Sequence, residues 1–302
     1  MNLQLNNITK SFAEKQVLKG ISLNIKSGTA FGLLGRNGAG KTTTIRIIMR
    51  VFNANSGEIL LNGKPIAKSN LKFGYLPEER GLYPKALIAD QLKYIGELRG
   101  MTAKDAAASA QKWLGRLELS HEAGKKLSTL SKGNQQKVQL IATLIHNPDI
   151  IILDEPFSGL DPVNSQSLKD IINEQIAAGK IVLFSSHQMG YVEQFCDHIA
   201  IINNGEIVLD GNLREIKRAG DRSKLKIDIG AGDVAHYLQN ESIQAFCKDV
   251  TVNNSIAVIT LNKADEAQKL LQTLILQNVP LEKYEILEPT LEEIFIKKAG
   301  AL

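Results

Sequence analysis

The run Gly35-Arg36-Asn37-Gly38-Ala39-Gly40-Lys41-Thr42 fits the pattern G-x-x-x-x-G-K-[ST]. Residues of these types at this spacing bind phosphate. Glycines let successive backbone N–H groups wrap an anion, and a helix starting at the loop adds the partial positive charge of its N-terminus. Lys41 is placed to reach β- and γ-phosphates and the Thr42 hydroxyl to ligate Mg²⁺. A second chemical element is Ile150-Ile151-Ile152-Leu153-Asp154-Glu155, an apolar run ending in two acids. Asp154 is the expected Mg²⁺ holder, and Glu155 is the candidate general base that polarises a water for in-line attack on a γ-phosphate. Two merely solvated acids fit poorly at the end of a run that is otherwise wholly apolar.

Positioning these groups requires strands and helices in a particular order. Ala30–Leu34 is a short continuous apolar run, read as a buried strand, and Thr42 to Val51 has helical periodicity. The phosphate pattern therefore lies between strand and helix, where its mechanism needs it. A Gly-rich turn that binds nothing is the weaker explanation. Leu3–Ile8 and Gly20–Ile25 alternate apolar and polar residues, as half-buried antiparallel strands do. From Lys85 to Lys126 the chain is rich in Ala, Leu, Lys and Gln, which predicts a helical insertion. Helix 132–146, strand 150–153, helix 162–178 and strand 180–185 then alternate, as in a parallel sheet. Ile199–Val208 reads as a hairpin turning on Asn204-Gly205.

Near Ala219–Ser223 the composition shifts. A small α+β unit is predicted beyond it: strand 224–229, helix 232–246, strands near 249–254 and 256–262, helix 264–278, strand 282–288 and helix 290–299. Thr290 with Glu293 three residues on has the spacing of a capping box. The expected domains are residues 1–219, with a helical subdomain at about 85–146, and residues 220–302.

Composition sets the outer limits. The chain has 302 residues and a formal net charge of +4, with the basic excess in residues 1–220. That charge is too small to argue for a nucleic-acid partner, and none is expected. No apolar run is long enough to span a bilayer, and no signal peptide is read at the start. Cys196 and Cys247 are far apart and outside any metal-ligand spacing, so buried thiols in a reducing compartment are expected.

Leu130-Ser131-Lys132-Gly133-Asn134-Gln135-Gln136 resembles the signature sequence of ABC-type ATPases, usually written LSGGQ. Ser158-Gly159-Leu160-Asp161 is similar to that family's D-loop, and Ser185-Ser186-His187 to its switch histidine. With the phosphate loop and the two acids, the resemblance covers residues 1–215. It implies an α/β fold: a RecA-like P-loop ATPase core with an antiparallel β subdomain and a helical subdomain, followed by the small C-terminal unit. It also implies roles. Gly35, Asn37, Gly38, Ala39, Gly40, Lys41, Thr42 and Thr43 would bind ATP. Ser131 and Gly133 would contact the γ-phosphate of ATP held by another copy, Asp161 would link the two sites, and His187 would position Glu155 and the water. Phe12 stands where the family stacks an aromatic ring under adenine, with plain burial as the alternative.

Two departures stand out. Where the family usually has a glutamine, touching Mg²⁺ and the attacking water, this chain has Glu78. Glutamate keeps the length and an oxygen ligand, so Glu78 is expected among the metal ligands and catalytic residues. Lys132 and Asn134 replace a glycine and a glutamine of the signature, while Ser131 and Gly133 are retained.

The resemblance implies an ATP-hydrolysing subunit of a membrane exporter, at the cytoplasmic face of the membrane. Its partners would be separate ABC-2 type integral membrane permease subunits and a second nucleotide-binding subunit, a homodimer being expected. The segments Gly74–Tyr83 and Glu288–Phe295 resemble the sodium- and drug-efflux members of that group. Residues 220–302 would then serve subunit contact or regulation of hydrolysis. A soluble relative acting on ribosomes or nucleic acid is the alternative, although one uninterrupted domain disfavours it. The signature disfavours an unrelated kinase or GTPase.

Overall fold

The computed structural model describes residues 1–79, 81–157, 161–186 and 188–299. They form two compact units, Met1–Leu213 and Arg214–Leu302. The division falls six residues before the composition shift, after the first residue of a short helix, Leu213–Arg218.

In the first unit, β1 (Asn2–Phe12) and β2 (Lys15–Lys26) make an antiparallel hairpin with two-residue turning at Ala13 and Glu14. Both strands run further than their clean alternation suggested, because register shifts break the period around Leu5–Ser11. Next come β3 (Ala30–Leu34), α1 (Lys41–Ile48), β4 (Ser56–Leu61), β5 (Lys64–Pro65) and β6 (Phe73–Leu76). The helical insertion holds α2 (Ile88–Leu98) and α3 (Ala103–Arg116), and α4 (Lys132–Leu144) follows it. Then β7 (Ile150–Asp154), α5 (Pro162–Ala177), β8 (Ile181–Ser186), α6 (Met189–Phe195), β9 (His198–Asn203) and β10 (Glu206–Asn212) complete the unit.

One sheet has the order β2-β1-β4-β5 and is antiparallel. The other has the order β10-β9-β3-β8-β7-β6, parallel except for β10. Every residue of β3, β7 and β8 is buried, which is why these strands read as continuous apolar runs rather than alternations. The two sheets share one core, in which Leu3, Leu5 and Ile21 pack with Phe31, Ile45, Ile150 and Leu183. Each such side chain contributes about 1.5–3 kcal/mol on burial. α3 starts where Thr102 accepts a hydrogen bond from Asp105 N at 3.1 Å, a side-chain cap on a free helix N–H.

The second unit comprises α7 (Leu213–Arg218), β11 (Lys224–Asp228), α8 (Val234–Leu238), α9 (Glu241–Gln244), β12 (Cys247–Asn253), β13 (Ile256–Leu261), α10 (Ala267–Leu276), β14 (Lys283–Ile286) and α11 (Leu291–Ala299). Its antiparallel sheet has the order β12-β13-β11-β14. The single helix expected over 232–246 is two. Gln239 ends the first and Asn240 caps the second, its side chain accepting from Ser242 N at 3.0 Å. The capping box at Thr290 and Glu293 forms, with bonds of 2.9 Å and 3.2 Å in the two directions. Both cysteines are free, Cys196 buried and Cys247 half-buried.

Candidate functional site

The loop between β3 and α1 is shaped by close backbone approach. Gly40 caps α1 in the left-handed region (φ 120°), and a Cβ there would lie 2.6 Å from Leu18 and 2.9 Å from Ile202. Only glycine meets both demands. The Asn204-Gly205 turn braces the same loop: Gly205 N–H donates to Ala39 O at 3.0 Å, and Lys19 N–H donates to Gly205 O at 2.9 Å. α1 is therefore aimed with its N-terminus at the loop, and Thr44 Oγ1 closes its first turn on Gly40 O at 3.0 Å.

Lys41 is 8% exposed, and its ammonium donates to Gly35 O at 2.7 Å and Arg36 O at 3.2 Å. Burial lowers its pKa, opposed by the negative charges of Glu155, Asp154 and Glu78. A cleft of about 430 Å³ is lined by Asn37, Gly38, Gly40, Lys41, Thr42, Thr43, Glu78, Asp154 and Glu155, with Lys15 and Val17 from β2. Residues drawn from four separate stretches of sequence thus face one another.

The two acids are held differently. Asp154, the last residue of β7, is buried and accepts a hydrogen bond from Tyr75 Oη at 3.2 Å. Burial raises its pKa, and the bond from Tyr75 works the other way. Burial likewise pushes the Tyr75 phenol up to about 12, with the Asp154 charge adding to it. Glu155 is also buried, and its backbone sits at φ 51°, a sparsely populated conformation for a side chain of this size. Two hydrogen bonds hold it there. Its N–H donates to Ser185 O at 2.9 Å, and its Oε2 accepts from Ser186 Oγ at 2.9 Å.

The donor set suits a magnesium triphosphate. Among the described residues no three His, Cys, Asp or Glu side chains converge as a metal cage. Mg²⁺ does not need one, because it is held by one or two carboxylates together with substrate phosphates and water. Thr42, Asp154 and Glu78 lining one cleft supply such a partial set.

The remaining residues lie elsewhere. Ser131 caps α4, accepting from Asn134 N at 3.3 Å, and is exposed. Gly133 is buried against Asn164 of α5. Asp161 caps α5, accepting from Asn164 N at 2.9 Å. None of these lines the cleft around Lys41. Phe12 is 46% exposed, packed edge-on against Phe52 at 5.4 Å with the Lys10 ammonium 5.3 Å from its ring. It too lies outside the residues lining the cleft, although its strand partner Lys15 is among them. His187 and Ser158–Leu160 fall outside the described residues.

Sequence reasoning missed Ser186, Tyr75 and Lys15. Ser186 stood inside the Ser185-Ser186-His187 run, but only the histidine was read for chemistry. Tyr75 and Lys15 have no local signal, because strand pairing alone brings them to the site.

A family profile described as "ABC transporter" matches residues 18–158, and one described as "ATP-binding protein DrrA1-3-like, C-terminal domain" matches residues 211–299. An uncharacterized ABC transporter ATP-binding protein of Bacillus subtilis is 40% identical over 302 residues, spanning 99% of each chain. The linearmycin resistance ATP-binding protein of the same bacterium is 32% identical over 307 residues, covering 99% of this chain and 98% of its own. A solved ATP-binding subunit of an ABC transporter has a TM-score of 0.65 at 29% identity, covering 72% of this chain and 92% of that one. A bacterial ABC transporter cassette solved as a dimer has a TM-score of 0.62 at 26% identity, with coverage of 70% and 99%.

Proposed function

The chain belongs to the ABC transporter ATP-binding proteins, and on that premise we propose that it energises an exporter as a homodimer docked on ABC-2 type permease subunits, at the cytoplasmic face of the membrane. As a family member it binds and hydrolyses ATP for a transporter. The observation that carries the rest is a division of labour. The phosphate loop, Glu78, Asp154 and Glu155 converge in one cleft, whereas Ser131 and Gly133 open a different helix outside it. One chain then offers two half-sites, and a two-fold pairing completes both. The solved dimeric cassette supports this pairing.

In the proposed mechanism, loop N–H groups and the α1 N-terminus hold the phosphates, with Lys41 against their charge. Thr42, Asp154 and Glu78 would hold Mg²⁺, which supplies charge neutralisation at the transferring phosphoryl group. Glu155 takes a proton from the water that attacks the γ-phosphorus, and the bond to ADP breaks. Ser186 fixes the orientation of Glu155, His187 assists at the γ-phosphate, and Phe12 offers its exposed ring to the adenine. Asp161, at the head of α5, would face the neighbouring site.

The permease reading draws on the surface of the helical insertion. Tyr94 and Leu98, one turn apart on α2, are 51% and 66% exposed, and outside the insertion Tyr83 and Val51 are 65% and 63% exposed. A neighbouring groove of about 490 Å³ adds Arg46, Lys72, Arg99 and His146. No helix among the described residues is long and apolar enough to cross a membrane. A Nod factor export ATP-binding protein of Burkholderia lata, 32% identical over 213 residues, supports export as the direction.

The test is purification of the tagged chain from detergent-solubilised membranes. A polytopic membrane protein should co-purify in stoichiometric amount, and Tyr94→Asp with Leu98→Asp should release it without lowering the ATPase rate of the isolated chain. Recovery of ribosomes or nucleic acid in place of a membrane protein would overturn the proposal.

A further inference from the structure

One face of α4 carries a row of polar side chains, and each is bonded to the backbone of the catalytic core. His146, just beyond the helix, bonds through Nε2 to Phe73 O at 3.0 Å. Thr143 Oγ1 shares its one hydrogen between Gln139 O at 2.9 Å, in its own helix, and Tyr75 O at 3.3 Å. Gln139 Nε2 donates to both Pro77 O and Glu79 O, each at 3.2 Å. Gln136 Nε2 donates to Pro156 O at 3.3 Å. The spacing of Gln136, Gln139, Thr143 and His146 places them on one side of a helix.

The acceptors Phe73, Tyr75, Pro77 and Glu79 are alternate residues running from β6 into the loop beyond it. β6 is the last strand of its sheet, so one edge of its backbone has no strand neighbour. α4 covers that edge with side-chain donors, which satisfies carbonyls that a bare edge would leave to solvent. The approach is close: a Cβ on Gly74 would lie 2.6 Å from Thr143 O and 2.8 Å from Pro148.

Gln139 differs from the rest of the row. It is 5% exposed, and its two acceptors bracket Glu78. Glu78 itself is exposed and lines the cleft with Lys41 and Asp154. The carbonyls before and after it are pinned to the same helix whose first turn carries Ser131 and Gly133.

We infer that Gln139 is a positioning residue, which makes the Glu78 loop travel with α4 and so ties the metal-side carboxylate of a chain's own site to the signature residues it presents to its neighbour. The inference rests on the composite-site reading above. A shift of α4 on engaging a neighbour's triphosphate then moves Glu78 relative to Asp154, because an amide anchored at two carbonyls cannot release one without leaving a buried donor unpaired.

Two variants of the full-length chain test this. Gln139→Met keeps length and bulk but has no donor, and Gln139→Asn keeps the amide but is one methylene too short. Hydrogen–deuterium exchange of the β6 amides 73–76, which pairing with β7 protects and which lead directly into the anchored loop, should quicken in both variants by about five- to tenfold when measured without nucleotide, the consequence of losing one net hydrogen bond. Exchange within α4 should stay as in the wild type. In the ATPase assay kcat should fall by a similar factor, with KM for ATP unchanged. A packing role predicts a different order, with Gln139→Met silent and Gln139→Asn defective. That result, or unchanged exchange at 73–76 in both variants, overturns the inference. A wild-type chain that fails to hydrolyse ATP would instead count against the ATPase reading, while the exchange arm still tests Gln139.

Discussion

Glu155→Gln is the substitution that separates binding from chemistry most cleanly. The side chain is buried in a strained backbone setting, so most replacements would disturb the fold as well as the reaction. Glutamine avoids this. Ser186 Oγ already accepts from Gln188 N–H at 3.0 Å, which directs its own hydrogen to Glu155 Oε2 at 2.9 Å. A glutamine carbonyl oxygen accepts that hydrogen equally well, so the thermal midpoint should hold. What disappears is the ability to take a proton, a contribution of about 10²–10⁴ in rate. That corresponds to roughly 3–5 kcal/mol of barrier. ATP binding should hold or tighten, because one negative charge fewer faces the triphosphate. Phosphate release at saturating Mg-ATP measures the first quantity and titration with a fluorescent ATP analogue the second. Size-exclusion chromatography with ATP should show a dimer that persists in the variant. Turnover within about threefold of wild type would remove Glu155 as the general base.

Glu78→Gln restores the family's usual residue at the same length, and steady-state ATPase should stay within about threefold of wild type; complete loss would show that the carboxylate has a role an amide cannot fill. His146 gives a pH prediction. Burial lowers its pKa from the ordinary 6.5, helped by the nearby Arg99, Lys72 and Lys180 charges and opposed by its bond to Phe73 O. A group whose folded pKa is lowered binds fewer protons in the native state, so its stabilisation is complete above about pH 6.5 and is lost as pH falls below it. His146→Gln keeps a donor for Phe73 O, and calorimetric scans from about pH 7.5 down to about pH 5.5 should show a shallower fall in Tm than in the wild type. Equal slopes would remove His146 as the source.

The sequence disclosed the parts of the site that sit next to one another in the chain. A phosphate loop is read from eight consecutive residues, since loop, strand and helix are one local device. Asp154 and Glu155 are similarly local, because the apolar strand that delivers them precedes them directly. The continuous apolar runs of β3, β7 and β8 also identified the buried parallel strands. What stayed hidden was set by pairing across the chain. Tyr75 reaches Asp154 only because β6 lies beside β7, and Lys15 reaches the cleft because β2 returns along β1. The break at Asn240 was missed for another reason. Its neighbours keep a helical rhythm, and a single side-chain cap decides the local structure. Gln139 looked like an ordinary helix residue, and its meaning came only from the two carbonyls it holds.

The central claim is that one chain carries two half-sites and no complete one, and mixing two inactive variants tests it. Lys41→Ala disables the phosphate side and Ser131→Arg disables the signature side, so each homodimer should be inactive. In an equal mixture about half of the dimers pair one of each, and every such dimer holds one intact composite site, so about a quarter of wild-type ATPase should return if the sites act independently. Failure of any activity to return, with both variants shown to fold and to associate, would contradict the account.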